Sequence, residues 1–264
     1  MTETPWEVIA LRYATLDSTR NKSFFRWESY GEPDGAQTLD YYFWVLRNGA
    51  RTVVVDTGFD PKVGTRRGRR TLAAPAEALA AIGVEPDKVE TLILTHLHYD
   101  HIGNVGLFSD ATVLAPGTDL DFWCGPMARR PQFAEHVEAT ELALLARLEA
   151  EGRLQRYDGE RELLPGVRMI PLPGHSPGQH GLLVDRRPRP VLLTSDAIHF
   201  YEEFERDRPF GIFVDLAQTY TSYDRIRELC VAHDAVLVPG HDPAVVERFN
   251  ECEGSTSGIA FDLR

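Results

Sequence analysis

The sequence predicts a mixed α/β protein, and three observations support that fold class. Short apolar runs that are typical of strands recur along the chain, often beside Gly, Pro or Asn. Segments with the composition and spacing of helices separate groups of these runs. Strand hairpins interrupted by helices occur in both halves of the chain, which suits two packed sheets with helices outside them. By itself this pattern establishes only the mixed α/β class.

The first predicted elements are a strand and a hairpin. Residues 8–13 form an apolar run that predicts an opening strand. Residues 41–46 and 52–55 are two further runs, and the Asn48-Gly49 pair between them is typical of a hairpin turn.

Residues 16–37 are polar and rich in turn residues, so we predict a loop there. This segment nevertheless carries three large aromatic residues, Phe24, Phe25 and Trp27. Aromatic side chains in a loop either anchor it in the core or form an apolar wall over a site. Both interpretations are open, and we treat the three residues as candidate substrate contacts.

The remaining predicted elements alternate between helices and strands. Predicted helices cover 74–82 with Gly83 as a C-cap, 131–151 with leucines at helical spacing, and 222–233. Predicted strands cover 91–95, 112–115, 167–172, 181–185, 191–195 and 235–238. No internal repeat, low-complexity tract or linker interrupts the chain.

The most informative segment is His96-Leu97-His98-Tyr99-Asp100-His101, which directly follows the strand predicted at 91–95. It contains three of the nine histidines of the chain, a density for which packing supplies no reason. Imidazole nitrogen and carboxylate oxygen are ligands that zinc-like divalent ions accept. We therefore predict that this segment binds metal.

A metal site needs further ligands, and three candidates lie after apolar runs and beside Gly or Pro. They are His175 in Pro173-Gly174-His175-Ser176-Pro177-Gly178, Asp196 after the strand predicted at 191–195, and His241 in Pro239-Gly240-His241-Asp242. Loops at strand ends can be held in place by a rigid scaffold. Because ligands from residues 96 to 241 must converge, we predict that residues 1–264 form a single domain.

These residues resemble the metallo-β-lactamase-fold hydrolases. The segment 96–101 matches the H-x-H-x-D-H signature of that family, and residues 173–178 match its second histidine motif. Asp196 and His241 fall where the family places its bridging carboxylate and last histidine. Asp56-Thr57-Gly58 matches an early D-T-G turn, and the spacings are similar to those of the N-acyl homoserine lactonases.

The resemblance implies a four-layer αββα sandwich and two divalent metal ions per chain, which we expect to be zinc. It assigns the ligands as follows: His96, His98 and His175 hold one ion, Asp100, His101 and His241 hold the other, and Asp196 bridges them. Asp56 is expected to orient a ligand histidine, as carboxylates commonly do.

Departures from related branches narrow the interpretation. The β-lactamase branch carries Cys at the position of Asp196, and the flavodiiron branch carries Glu at the position of His98, so neither fits. Lactonases carry a Tyr three residues after the bridging Asp, where it contacts the substrate carbonyl; here that residue is His199. His199 is a candidate oxyanion donor or acid, and the alternative is a purely structural histidine. Tyr201, Tyr220 and Tyr223 are the other candidates for the missing Tyr, and we treat His136, His180 and His233 as structural.

The implied chemistry is hydrolysis. Two bridged ions polarise a carbonyl oxygen and lower the pKa of a bridging water, which supplies hydroxide at neutral pH. Asp100 is a candidate to relay a proton to the leaving group. We predict a hydrolase that opens a lactone or small ester of the N-acyl homoserine lactone kind. A glyoxalase II-like thioesterase and a mononuclear iron persulfide dioxygenase are the alternatives, and a non-catalytic metal-binding module is disfavoured because every ligand is present.

Composition excludes other classes of partner. The formal net charge is −12, which argues against nucleic acid and anionic membrane surfaces and leaves a small-molecule substrate. The basic run at 66–70 is a local exception that we predict to be a solvated loop. The N-terminal residues do not resemble a signal peptide, and no stretch is apolar enough to span a bilayer. Cys124, Cys230 and Cys252 are expected to be reduced thiols of a cytoplasmic protein.

Overall fold

The structure is a computed structural model that describes residues 5–49 and 51–264. Its strands are β1 (Glu7–Thr19), β2 (Ala36–Asn48), β3 (Arg51–Val55), β4 (Arg70–Thr71), β5 (Thr91–Ile93), β6 (Thr112–Pro116), β7 (Leu154–Tyr157), β8 (Arg161–Leu164), β9 (Val167–Pro171), β10 (His180–Val184), β11 (Val191–Ser195), β12 (Val236–Pro239), β13 (Asn250–Glu251) and β14 (Ala260–Asp262). Its α-helices are α1 (Arg20–Ser23), α2 (Pro61–Arg66), α3 (Pro75–Ala80), α4 (Tyr99–Ile102), α5 (Gly117–Trp123), α6 (Pro131–Ala134), α7 (Ala139–Ala150), α8 (Tyr201–Arg206), α9 (Leu216–His233) and α10 (Ala244–Arg248).

Within the described residues the strands form two sheets. The larger has the order β13-β14-β1-β2-β3-β5-β6-β7, with β4 pairing β1, and the smaller has the order β12-β11-β10-β9-β8. Antiparallel hairpins join β1 to β2 and β9 to β10, whereas β3, β5, β6 and β7 run parallel. Strands β11 and β12 are also parallel, and α8 and α9 lie between them in sequence. The ligand-bearing loops follow the strands of both sheets.

The burial pattern gives four layers. Alternate residues of β1 point to opposite faces, as a strand requires. Val8 and Ala10 pack between the sheets with Met169 and Leu182 of the small sheet. Ile9 and Leu11 instead join a second core, which includes Leu79 of α3 and Leu145 of α7. On the outer face of the small sheet, Ile226 and Leu229 of α9 pack against Leu183 and Leu192. The helix–sheet–sheet–helix order confirms the predicted αββα class.

Two predictions on 16–37 and 131–151 are wrong in part. Strands β1 and β2 remain paired out to Thr19 and Ala36, so much of the expected loop is a long hairpin end. The helix expected over 131–151 is broken into α6 and α7. The backbone between them bonds elsewhere, since Arg67 Nη1 donates to Glu135 O at 2.6 Å and Tyr99 N donates to His136 O at 2.9 Å.

Other elements lie close to their predicted positions. The hairpin of β2 and β3 is confirmed, with Asn48 opposite Arg51; Ala50 lies outside the described residues. Helix α9 begins at Leu216, six residues earlier than predicted, because the Asp215 side chain caps it by accepting from Gln218 N at 2.9 Å. In the described part of the chain, no helix combines the length and apolar character needed to cross a membrane. The three cysteines are free thiols.

Candidate metal centre

The histidine-rich segment leaves β5 and turns immediately into α4. His96 and His98 lie in the connecting loop, and Asp100 and His101 lie in α4. All four residues are buried, from 0% exposed for His96 to 9% for Asp100. Polar side chains buried to this degree need partners, and metal ions are one kind of partner.

The predicted ligands meet at one place as two groups. His96, His98, His175 and Asp196 each offer an atom within 4.8 Å of the others, and Asp100, His101 and His241 do the same. In the first group His175 Nε2 lies 2.8 Å from His98 Nδ1. Each group has the donor atoms and the spacing that could hold one metal ion.

Asp196 lies between the two groups. Its Oδ2 is 3.9 Å from His96 Nε2 and 3.4 Å from His175 Nε2. Its Oδ1 is 3.2 Å from both His101 Nε2 and His241 Nε2. Its Oδ2 is also 3.2 Å from His241 Nε2, so one carboxylate contacts both groups.

Backbone geometry aims Asp196 into this position. Ser195 has φ +48, a left-handed conformation that is uncommon for a residue other than Gly, and the β11–β12 register shifts just before it. Gly240 allows the close approach of the His241 loop, since a Cβ there would lie 2.6 Å from Asp196 Oδ1. Strain of this kind is commonly kept at functional sites.

The donor set fits a pair of divalent ions. Within the described residues, the buried atoms His96 Nε2, His101 Nε2 and Asp196 Oδ1 have no hydrogen-bond partner. The opposite ring nitrogens are held in place: His101 Nδ1 lies 2.8 Å from Asp56 Oδ2, and His175 Nδ1 lies 2.9 Å from Ile212 O. Ligand histidines in metal sites are held in this way, with one nitrogen bonded outward and the other directed at the ion.

The electrostatics of the first group suit cation binding, whereas in the second group the charges of Asp196 and Asp56 outweigh burial and raise the pKa of His101 well above its ordinary value. Burial lowers the pKa of His96, His98 and His175 well below the ordinary value, which favours the neutral imidazole that binds metal. Burial opposes ionisation of Asp196, but the surrounding histidines, His241 and His101 foremost, outweigh it and hold the pKa of that carboxyl well below its usual range. Asp196 is therefore a buried anion between the two groups.

Asp56 sits beneath the second group, as its D-T-G context suggested. Its backbone has φ +61, and its carboxylate accepts from Thr95 N and Thr95 Oγ1, both at 2.8 Å. The same carboxylate contacts His101 Nδ1 at 2.8 Å. Asp56 therefore fixes both the strand end that precedes the histidines and the ring of His101.

Asp119 is a comparable anchor that the sequence analysis missed. Its fully buried carboxylate accepts from Ser176 Oγ at 2.5 Å, Gly178 N at 2.6 Å and Leu97 N at 3.0 Å. It thereby joins the loop of His96 and His98 to the loop of His175. No short motif marks this residue, because its partners lie 22 to 59 residues away in sequence.

His199 points at the carboxylate of Asp196. Its Nε2 lies 3.3 Å from Asp196 Oδ2 and its Nδ1 lies 3.4 Å from Glu203 Oε1, while its ring stacks on Phe210 at 3.9 Å. Burial lowers the pKa of His199, but the charges of Glu203 and Asp196 outweigh it and raise the pKa to about 9. Asp196, His199 and His241 also form a third set of converging ligand atoms.

A cavity of about 290 Å³ opens over the two groups. Its polar lining includes His98, Asp100, His175, Asp196, His199, His241, Tyr41, His136, Lys22, Arg67, Arg69 and Glu135. The run at 66–70, expected to be a solvated loop, thus supplies two cavity residues; that expectation is wrong for Arg67 and Arg69. His136, taken as structural, lies 5.2 Å from the His98 ring, centroid to centroid.

The candidate aromatic contacts lie elsewhere. Phe24 and Trp27 are each 2% exposed and pack in the core, while Phe25 packs edge-on against Phe213. None of the three lines the cavity over the ligand groups. Phe24 supports the cavity from behind, because its backbone pairs with that of Phe210, which lines the cavity.

The candidate tyrosines also lie outside the cavity lining. Tyr201 donates to Leu237 O at 3.1 Å, Tyr223 donates to Glu203 Oε2 at 2.8 Å, and Tyr220 is partly exposed on α9. Tyr41 of β2 is the tyrosine that the sequence analysis overlooked. It lines the cavity, and its ring lies 4.9 Å from that of His241.

Two features define the class of this protein. One is the αββα layer order, and the other is the pair of candidate metal-ligand groups on either side of one carboxylate at the strand ends. A sequence model of the Metallo-beta-lactamase superfamily matches residues 38–241, a range that includes every candidate ligand. The chain belongs to this family.

Two relatives in sequence are lactonases. The chain is 30% identical over 166 residues to an N-acyl homoserine lactonase of Bacillus sp., a match that covers 62% of this chain and 60% of that lactonase. The chain therefore spans less than two thirds of that relative. It is also 30% identical over 225 residues to an N-acyl homoserine lactonase of Bacillus cereus, covering 80% of this chain and 84% of the relative.

Solved structures of lactonases share the fold. A quorum-quenching N-acyl homoserine lactone lactonase has a TM-score of 0.75 at 24% identity, covering 94% of this chain and 95% of its own. AidC, a dizinc quorum-quenching lactonase with a product bound, has a TM-score of 0.72 at 19% identity, covering 92% and 90%. At these identities the likeness concerns the fold.

Proposed function

We propose that this protein is a dinuclear metal-dependent hydrolase that opens a lactone or a related small ester, with residues 1–264 acting as one domain. The observation that carries the proposal is Asp196, whose two oxygens face two separate ligand groups at 3.2–3.9 Å. A carboxylate in that position suits a bridge between two ions. The names of the Bacillus relatives support a lactone as the substrate, and the name of dizinc AidC supports zinc as the metal.

Two ions held there would polarise the carbonyl oxygen of the substrate and lower the pKa of a water between them. Asp56 and Asp119 hold the ligand loops rigid, so that little reorganisation is needed during the reaction. Asp100 lies at the cavity, with its Oδ2 4.0 Å from His241 Nε2. In this position it can take a proton from the attacking water and return it to the leaving oxygen.

His199 takes the place of the lactonase Tyr in this proposal. Its ring lines the cavity beside Asp196, and Phe210 and Glu203 fix its orientation. The ring atom that would donate to the developing oxyanion is Nε2, which faces the ligand groups 3.3 Å from Asp196 Oδ2.

A thioesterase of the glyoxalase II kind is the second candidate. The acidic substrates of such enzymes call for a basic patch, and Arg67 and Arg69 line the cavity. A mononuclear iron dioxygenase is a third hypothesis, and it differs from both hydrolases in metal content. Cytoplasmic location stays a prediction.

The deciding experiment combines metal analysis with a substrate panel. Protein reconstituted with zinc should contain two ions per chain by elemental analysis. It should hydrolyse lactones faster than thioesters and simple esters of equal acyl length. One ion per chain after titration to saturation would refute the dinuclear proposal, and a preference for thioesters would favour the second candidate.

A further inference from the structure

The cavity wall carries three basic side chains, and the fold neutralises only some of their charge. Lys22, Arg67 and Arg69 all line the cavity, in a protein whose net charge is −12. The carboxylates in the same lining are Asp100, Asp196 and Glu135. Asp100 and Asp196 belong to the ligand groups, so they are committed to cations of their own.

Arg67 and Arg69 differ in their partners. Arg67 is paired with Glu138, whose Oε1 lies 2.7 Å from Nη2 and 3.0 Å from Nε, and its guanidinium covers the Tyr99 ring at 4.1 Å. It braces the backbone between α6 and α7. Its charge is therefore used within the fold.

Arg69 has no carboxylate within 4 Å among the described residues. Its Nε donates to Tyr41 Oη at 3.2 Å, and its Nη1 donates to Arg67 O. Both acceptors are uncharged, and Nη2 donates to no described residue. These hydrogen bonds therefore orient the guanidinium of Arg69. Its positive charge and its Nη2 donor remain available to bind a ligand.

Arg69 is also close to the reacting centre. Tyr41, which holds it, packs edge-on against His241 with centroids 4.9 Å apart. A half-buried cation is costly without a counter-charge, and a planar fork suits a carboxylate better than it suits a neutral group. Exposed Lys22 on the same wall adds to the attraction.

We propose that the hydrolysed substrate carries a carboxylate in addition to the reacting lactone or ester group, and that Arg69 binds this carboxylate. This inference rests on the proposed function and narrows it to anionic lactones or esters. It also accounts for the basic residues of a cavity in an otherwise acidic protein. Tyr41 acts as the positioning residue that aims the guanidinium.

The test uses two lactones that differ only at the far end of the acyl chain. N-hexanoyl homoserine lactone ends in a methyl group, and N-adipoyl homoserine lactone ends in a carboxylate at the same length. We expect the zinc-loaded wild type to have the higher kcat/KM on the adipoyl lactone. In Arg69→Gln, kcat/KM should fall about tenfold to a hundredfold more for the adipoyl than for the hexanoyl lactone, with the change mainly in KM.

Arg70→Gln is the matched control, because it removes the same charge one residue away at an exposed position outside the cavity. It should leave the ratio of the two kcat/KM values unchanged. Arg69→Lys keeps the charge but loses the fork, so it should restore part of the preference. Metal content and thermal midpoint of each variant separate a binding effect from misfolding.

The outcomes distinguish the two proposals. A wild type that hydrolyses both lactones without preferring the adipoyl compound, or an Arg69→Gln variant that loses both activities equally while folded and metal-loaded, would overturn the role of Arg69 alone. A zinc-loaded wild type that hydrolyses neither lactone would overturn the proposed function, and the inference with it.

Discussion

The floor and the rim of the cavity are built differently. We call the seven candidate ligands the floor: His98, Asp100, His175, Asp196 and His241 line the cavity, and His96 and His101 complete the two ligand groups outside the lining. The rim consists of Lys22, Arg67, Arg69 and Glu135. Every floor side chain belongs to a residue at most 9% exposed, and hydrogen bonds from strand ends fix the surrounding loops. Rim side chains are partly exposed, 20% for Arg67 and 69% for Glu135.

This difference suggests that the floor and the rim have separate functions, reaction and substrate recognition. A rigid, buried floor suits a fixed reaction, because ligands must hold their positions within a fraction of an ångström. A partly exposed rim suits recognition of the non-reacting part of a substrate, since its side chains can change without disturbing the ligands. The following predictions test that division, from the largest expected effect to the smallest.

Asp196→Asn tests the floor most severely. The amide keeps the shape but loses the negative charge between the two ligand groups. We expect loss of at least one metal ion and a fall in rate of roughly a hundredfold or more, because loss of an outer-sphere partner alone costs 10–100-fold. Elemental analysis and steady-state kinetics measure both. Normal metal content and rate would remove Asp196 from the ligand set.

His199→Ala tests whether this cavity residue, which belongs to neither the floor nor the rim, takes part in catalysis. If His199 donates to the oxyanion, kcat should fall about 10²–10³-fold while metal content is unchanged. His233→Ala, at an exposed position near the end of α9, is the control and should have neither effect. Loss of metal in His199→Ala would instead assign His199 to the ligands, and a change under about threefold in kcat would leave it as packing.

Asp119→Asn tests the support beneath the floor. The amide oxygen can still accept from Ser176 and Gly178, but its NH₂ group would face Leu97 N, which now donates to Oδ2 at 3.0 Å. We expect metal affinity to weaken about tenfold to a hundredfold. Asp121→Asn, exposed on the same helix and paired with Arg156, provides the control. Equal metal dissociation constants for the two variants would contradict an anchoring role for Asp119.

Glu141→Gln tests the helix behind the rim. Burial, with the charges of Glu138 and Asp100, raises the pKa of Glu141 to about 8 from an ordinary 4.5. A raised carboxyl pKa means that the folded state favours the protonated form, so this contribution to stability is present at low pH and is lost as pH rises from about 4.5 to about 8.

The wild type should therefore lose stability relative to Glu141→Gln between pH 5 and pH 8, by ~1–3 kcal/mol in the free energy of unfolding. Urea unfolding at both pH values measures the difference. Glu228→Gln, exposed on α9, should track the wild type. A constant gap between wild type and Glu141→Gln across this range would show that Glu141 is ionised in the folded protein.

The sequence identified the floor residues because their signal is local. Three histidines and a carboxylate in 96–101, and a candidate ligand after each of three later apolar runs, need no knowledge of distant contacts. The mixed α/β class followed from apolar runs in the same way, since strand and helix periodicities are local properties, whereas the four-layer arrangement came from the family resemblance.

The rim and its supports depend on long-range contacts that a sequence pattern does not contain. Arg69 is held in the cavity wall by a hydrogen bond to Tyr41, 28 positions earlier, and Arg67 by one to Glu138, 71 positions later. Phe24 and Trp27 were candidate substrate contacts by composition, but they are buried in the core. The aromatic segment was a candidate for contact with the substrate, and the basic run was expected to be a solvated loop. In the structure the basic run faces the cavity instead, because only tertiary packing decides which segment does.

Strand β2 has a consequence for how such a protein can diversify. Tyr41 and Phe43 enter the core beneath the helices, while Tyr42 and Trp44 enter the core between the sheets. The same strand meets the His241 loop, where Asp40 N donates to His241 O at 2.9 Å. A change in β2 therefore alters stability and ligand geometry together, whereas residues 67–69 lie outside all three cores. Lineages of this family that acquire new substrates should accumulate replacements at position 69 while β2 drifts slowly.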